Sequence, residues 1–199
     1  MYDVIEPLLQ HPYGFYNSTQ AKTLILGSFP IAKFTNPSLR STIKAHEIDF
    51  FYGGEKNKLW KVLSAVFSRP LTTKQQIVEF LEAESLAMGD IIKSCRSRKN
   101  GAADKDLYDV SWNEGLVSFI SENKIERIYF TSKWVQQNFL KHILHNYSGE
   151  SIVLPSPSPA ANIAIASTEG FKAKKALNPL LKVDDYRIEK YRQIFQSKT

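Results

Sequence analysis

The chain has a single cysteine, Cys95. One thiol excludes an intramolecular disulfide and fits a reducing compartment. No apolar run approaches the roughly 20 residues that a membrane helix needs, so no membrane role is expected. The opening residues, Met1-Tyr2-Asp3-Val4-Ile5-Glu6, carry acids where a secretory signal would carry bases, which predicts a protein kept in the cytoplasm. Internal repeats and low-complexity tracts are lacking as well, which argues against a solenoid or a disordered linker. What remains is a chain of 199 residues, 43% hydrophobic and 23% charged. Those proportions predict one globular domain over residues 1–199 with a substantial core. The formal charge of +6 favours polyanionic partners, but it does not by itself separate nucleic acid from anionic lipid or from a plain solvated surface.

Hydrophobic patterning gives the elements. Residues 1–20 are turn-rich, with Pro7 and His11-Pro12-Tyr13-Gly14, and leave room for one short helix over Val4–Gln10. The run Thr23-Leu24-Ile25-Leu26 does not alternate, so it reads as a strand buried on both faces, ending at Gly27. Pro30–Asp49 is a long connection without periodicity, the kind that usually carries function. Leu59, Leu63, Val66 and Phe67 form a helical stripe, for which Asn57 is a natural N-cap, and Thr73 caps a second helix through Ala83. Strands are expected over Leu86–Ile92, Arg127–Thr131 and Ser151–Leu154, and helices over Trp112–Glu122, Trp134–Leu144 and Asp184–Gln196. Between them Ser94–Asp109 reads as a polar loop and residues 163–183 as a second polar region. Strands alternating with helices imply an α/β fold, a three-layer α/β/α sandwich around a central four-stranded parallel sheet.

Two corners stand out. The first strand stops at Gly27-Ser28-Phe29-Pro30, and the last runs into Pro155-Ser156-Pro157-Ser158-Pro159-Ala160-Ala161-Asn162. Both are stiffened by proline and lie at carboxyl ends of strands, where open α/β sheets bind ligands. Between them Phe51-Tyr52-Gly53-Gly54-Glu55-Lys56-Asn57 gathers aromatics, glycines, an amide and bases, a combination that suits a flat, polar-edged ring beside a phosphate chain. Taken one by one these residues have plainer explanations. Asn57 would be a helix cap, Phe51 and Tyr52 core aromatics, and Ser156 to Pro159 a rigid turn. His142 and His145 share a helix face without a third ligand and read as a surface pair, so no metal is expected. Cys95 reads as a small buried residue.

At these same residues the chain resembles the uracil-DNA glycosylase superfamily. Leu26-Gly27-Ser28-Phe29-Pro30 is similar to its first motif, and Leu154-Pro155-Ser156-Pro157-Ser158-Pro159-Ala160 to its second. The hypoxanthine-DNA glycosylase branch is the nearest pattern: its Tyr-Tyr, Gly, His-Pro, Arg-Asn, Phe-Trp run falls on Phe51 to Trp60, with Gly54-Glu55 replacing His-Pro. Phe29 stands where better-known branches carry a water-positioning Asp or Asn, and Leu154 where they carry a base-stabilising His or Asn. The resemblance implies a monofunctional DNA glycosylase, needing no cofactor and acting as a monomer on DNA that contains a deaminated base. Hypoxanthine or a related purine is expected ahead of uracil. Asn57 becomes the catalytic residue. Gly27, Ser28, Phe29, Pro30, Phe51, Tyr52 and Gly53 would surround the base, with Phe51 or Phe29 stacked on it, and Glu55 is a further candidate for the water. Ser156, Pro157, Ser158, Pro159, Ala160 and Asn162 would meet DNA, with Ala160–Ile163 as a wedge. Two rivals stay open: a nucleic-acid-binding module that has lost the chemistry, and a nucleoside or nucleotide hydrolase.

Overall fold

The computed structural model describes residues 6–98 and 104–196. Strand β1 (Leu9–Gln10) comes first and pairs antiparallel with a strand far along the chain, Leu9 opposite Cys95. A helix was expected over Val4–Gln10. Leu9 and Gln10 are extended instead, and Val4 and Ile5 lie outside the described residues. Pro12 accounts for this, because it bars His11 from helical geometry and leaves the preceding segment free to join a sheet.

Strand β2 (Thr23–Gly27) is buried along its whole length. The long connection after it folds into a short helix, α1 (Ala32–Thr35), and a 3-10 turn over Pro37–Thr42, whose first amide is satisfied by Asn36 Oδ1. Helix α2 (Leu59–Phe67) follows, then α3 (Lys74–Ala83), which Thr73 and Gln76 close with a reciprocal capping box. Strand β3 (Leu86–Asp90) is shorter than expected. The chain bends at Ile91 and restarts as β4 (Ile92–Ser97), which pairs antiparallel with β5 (Leu107–Trp112). The segment read as a polar loop over Ser94–Asp109 is therefore largely a hairpin in a second, three-stranded sheet ordered β1-β4-β5. Two irregularities in its register, between Ile92 and Ser94 and between Ser94 and Arg96, break the alternation that would have marked it as strand.

Trp112 belongs to β5, so α4 (Gly115–Glu122) starts later than its apolar pattern suggests. Next come β6 (Arg127–Phe130), α5 (Lys133–His142) and β7 (Glu150–Val153). The region after the second corner holds α6 (Asn162–Ala166) and α7 (Glu169–Leu177), and α8 (Val183–Gln196) ends the described chain.

The central sheet is parallel throughout, ordered β3-β2-β6-β7. Side chains alternate between its faces. Ile25, Met88 and Tyr129 point to a core completed by α2, α3 and α8, through Leu59, Leu63, Phe80, Tyr191 and Phe195. Leu24, Leu26, Ala87, Ile128 and Phe130 point to the opposite core, closed by Leu116 and Ile120 of α4 and Val135 and Phe139 of α5. Helices thus cover both faces, giving the expected three-layer α/β/α sandwich. Because every strand of this sheet runs the same way, the corners after β2, β3, β6 and β7 share one edge. Among the described residues no helix is long and apolar enough to cross a membrane.

Candidate active site

The two proline-stiffened corners meet indirectly. The amide of Lys58 donates to the carbonyl of Pro157 at 3.0 Å, so the segment carrying Asn57 is bonded to the loop after β7. That loop is gripped from behind by Arg187 of α8, which is 0% exposed. Arg187 Nε donates to the Ser156 carbonyl (2.9 Å) and Nη2 to Asn162 Oδ1 (2.7 Å), while Nη1 pairs with Asp184. Within the loop, Ser156 Oγ accepts the Ser158 amide and Ser158 Oγ accepts the Ala160 amide, both at 3.3 Å. Pro157 is buried, Ser156 and Ser158 are half-buried, and Pro159 and Ala160 are exposed. Ile163 projects beyond them at 85% exposure.

A second buried charge shapes the strap that leads to Asn57. The Glu47 carboxylate has no exposed surface and accepts four hydrogen bonds: two from Lys33 Nζ (2.7 and 2.9 Å) and one each from the amides of Lys44 and Glu55 (both 2.9 Å). Burial alone would raise its pKa. The Glu55 amide, the Lys33 ammonium and the Lys44 amide outweigh that and hold it at about 2. Past Glu47 the chain turns tightly, with the Ile48 amide donating to the Gly53 carbonyl at 3.0 Å. A Cβ on Gly53 would overlap the Ile48 carbonyl, so only glycine fits there. Tyr52, just before it, sits in the left-handed region at φ 57°, a conformation that costs a non-glycine residue on the order of 1 kcal/mol and that tends to mark functional positions. The Glu55 side chain bonds Lys44 (2.7 Å) and His46 (3.3 Å) in solvent.

The strained backbone aims the Tyr52 phenol at the end of β2. A Cβ on Gly27 would collide with both the Tyr52 hydroxyl and Asp90 Oδ1, so those two oxygens converge over the Gly27 Cα. Tyr52 donates to Thr131 Oγ1 at 3.2 Å, and Thr131 donates to the Leu26 carbonyl at 3.2 Å. Asp90 stands opposite Gly27 in the sheet register, and its Oδ2 lies 2.8 Å from His11 Nε2, each side chain 5% exposed. The Tyr13 amide donates to His11 Nδ1 at 3.3 Å, which leaves the imidazole proton on Nε2, directed at Asp90. The imidazole lies 5.9 Å from the Phe29 ring and 5.6 Å from the Phe51 ring. Burial lifts the Asp90 carboxyl above its ordinary range, and the hydrogen bond from His11 opposes the lift. Burial, reinforced by the Asp90 charge, holds the Tyr52 phenol well above its ordinary value, so it keeps its proton at neutral pH. Burial also raises Asp104, against a hydrogen bond from Ser28.

The sequence-based candidates fall into three groups. Gly27 and Tyr52 touch through the polar floor, and Ser28, Phe29 and Pro30 are half-buried around it. Phe51 lies beneath, 1% exposed, its carbonyl receiving Trp60 Nε1 at 2.8 Å. It is a core ring and offers no face to a ligand, whereas Phe29 is half-buried. Asn57 is not itself the N-cap of α2, a position held by Lys58, but its Oδ1 accepts the Leu59 amide at 2.9 Å, which leaves the Nδ2 hydrogens and one oxygen lone pair to offer. Asn162 Oδ1 is likewise taken by Arg187, and the buried Pro157 contributes its carbonyl rather than its ring. Of the surface histidines, His142 stacks on Trp112 at 4.4 Å. Among the described residues no group of three His, Cys, Asp or Glu side chains is placed to hold a metal ion.

Sequence reasoning missed His11, Glu47, Asp90, Thr131 and Arg187. Asp90 left a signal, a carboxylate closing the apolar run Leu86–Gly89 at the ligand-binding edge of a strand. His11 left none, since its partner is 79 residues away. A cleft of about 310 Å³ at the opposite edge, lined by Lys22, Thr23, Glu126, Arg127 and Glu150, contains charges that pair with one another and no convergent chemistry.

No protein-family model matches the chain, and no curated protein does. Among solved structures the chain is similar to the solution structure of a candidate uracil DNA glycosylase from Methanosarcina acetivorans. The match has a TM-score of 0.53 at 17% identity and covers 90% of this chain and 98% of the other. The chain therefore has a uracil-DNA glycosylase-like α/β fold.

Proposed function

We propose that the protein is a monofunctional DNA glycosylase of base-excision repair, hydrolysing the N-glycosidic bond of a deaminated base flipped out of DNA, with hypoxanthine or a related purine ahead of uracil. The observation that carries this reading is the bond between Lys58 and Pro157. It joins the Asn57 segment to the loop after β7 at the edge where the Gly27 floor lies. A base extruded from a duplex needs a site framed by backbone from more than one loop, and this bond holds two such loops together. Phe29 stacks on the ring, contributing on the order of 1–3 kcal/mol. Asn57 orients the water, whose oxygen bonds to the sugar C1′ as the bonding pair of the C–N link leaves with the base and a water proton is released. Ser156 and Ser158 contact backbone phosphate, and Ile163 fills the gap in the base stack. DNA is the partner, and the protein acts as a monomer without a cofactor.

Oligonucleotides containing inosine or uracil should yield abasic sites when incubated with the protein, while free nucleosides should not be cleaved. Asn57→Ala should lower base release at least about 100-fold with the folded spectrum retained. Absence of release from every deaminated substrate would defeat the proposal. It would leave the second reading, a DNA-binding homologue without chemistry, which Leu154 favours: at 1% exposure it brings no polar group to the base. That reading expects salt-dependent binding alone.

A further inference from the structure

Helix α7 turns apolar residues both ways. Phe171 faces inward and seals a small cluster with Ile165 and Tyr186. Ala173, Ala176 and Leu177 face solvent at the i, i+3, i+4 spacing of one helix stripe, and Leu180 extends that stripe past the helix end. Leu177 and Leu180 are 89% and 85% exposed; apart from Ile163, no other large apolar side chain among the described residues exceeds half exposure. The turn that displays Leu180 is tightly bonded. The Leu180 amide donates to Asn178 Oδ1 (3.1 Å) and the Leu181 amide to the Asn178 carbonyl (3.0 Å). Lys175 Nζ donates to the carbonyls of Pro179 (2.5 Å) and Leu181 (2.8 Å). Leu181 is thereby turned against the small cluster and Leu180 away from it. An apolar surface held out in one conformation has little ordering cost left to meet on binding.

Residues 170–182 carry four lysines and no acid. Lys174 is paired with Glu189 and Lys175 is taken up by the turn carbonyls. The exposed lysines are therefore Lys172, which also reaches Glu169, and Lys182, one toward each end of the stripe. We propose that this face docks an amphipathic helix of a partner protein, its apolar stripe against Leu177 and Leu180 and its Asp or Glu side chains over Lys172 and Lys182. Ala173 and Ala176 let the backbone of that helix come close. An apolar centre inside a charged rim is the arrangement of protein–protein contacts. A nucleic acid needs donors along the middle of its contact, where this stripe has only methyl groups. A helix of 9 residues that offers two leucines is too small to hold a bilayer. A second copy of the chain brings the same lysines face to face with no acid to answer them.

The inference is independent of the glycosylase reading, and its test needs no base release. A displayed library of helix-forming peptides is selected on the full chain and counter-selected on the double variant Leu177→Ser, Leu180→Ser. Both side chains are exposed, so the variant should unfold at the wild-type urea concentration. Should it not fold, Lys172→Glu with Lys182→Glu takes its place. Enriched peptides should carry apolar residues at i, i+3, i+4 and i+7, flanked by Asp or Glu. They should bind the wild type at least about 10-fold more tightly than the variant, and lose at least about 10-fold when their acids are changed to lysine. No enrichment over the counter-target, or enriched peptides that are basic or lack helical spacing, overturns the inference. Control titrations identify other occupants. A duplex oligonucleotide or phosphatidylserine vesicles bound at least about 10-fold more weakly by the variant, or a wild-type dimer that the variant breaks in sedimentation, overturns it as well.

Discussion

Glu47→Gln should destabilise the protein in a way that acid removes. The buried carboxylate receives four hydrogen bonds, and its pKa stands at about 2 against an ordinary value of 4.5. Each unit of displacement corresponds to about 1.4 kcal/mol, so the ionised group contributes about 3 kcal/mol at neutral pH. The folded value is depressed, so the contribution is complete above the unfolded value and is lost as pH falls through the folded one. By linkage it is essentially full above about pH 5.5, half gone near about pH 3.2 and small by about pH 2. Glutamine keeps the shape but turns an amine toward Lys33 or toward one of the two backbone amides. Urea unfolding followed by tryptophan fluorescence, at pH steps from 7 down to about 3.2, should show the gap between wild type and variant shrinking from about 3 to about 1.5 kcal/mol. A gap under about 1 kcal/mol at pH 7, or one that persists undiminished at the lower end, would refute the idea that Glu47 organises the strap as a carboxylate.

Other perturbations test the remaining parts. Arg187→Met removes a fully buried guanidinium from the Ser156 carbonyl and Asn162 Oδ1, leaving Asp184 with only the longer Lys58 contact at 3.9 Å, and should cost about 3 kcal/mol in thermal or urea unfolding. Gly27→Ala drives a methyl group into the Tyr52 hydroxyl and Asp90 Oδ1; a stability loss of about 1–3 kcal/mol should accompany a far larger loss of base release, read by oligonucleotide cleavage after alkali treatment. Ile163→Ala should leave the unfolding midpoint within about 0.5 kcal/mol of wild type, because the side chain is exposed, yet should slow excision from duplex more than from single-stranded DNA.

Local chemistry made part of this molecule readable. The unbroken apolar run at Thr23 could only be a strand buried on both faces, and Thr73 announced the helix start that the structure closes with a Thr73–Gln76 capping box. The glycine and proline after β2 and the prolines after β7 marked the corners correctly, because backbone stiffness is a property of those residues alone. The β4–β5 hairpin escaped because its irregular register scatters polar residues over both faces, and β1 because a two-residue strand exists only through its partner. The same distinction runs through the site. Gly27 and Tyr52 were found from their neighbours in the chain, whereas His11, Asp90 and Arg187 acquire meaning only across distances that a sequence pattern does not encode. Arg187 illustrates the point: in a helix rich in charge it reads as solvent-facing, yet it is wholly enclosed.

The location of that arginine also bears on how the protein is born. The sheet and most of its covering helices are complete by residue 153, but the Ser156 carbonyl and the Asn162 side chain of the loop after β7 have no Arg187 to grip them until α8 arrives. During synthesis the corner after β7 therefore waits for its Arg187 brace until α8 has left the ribosome, so that a product truncated before α8 can assemble its core with that corner only partly held.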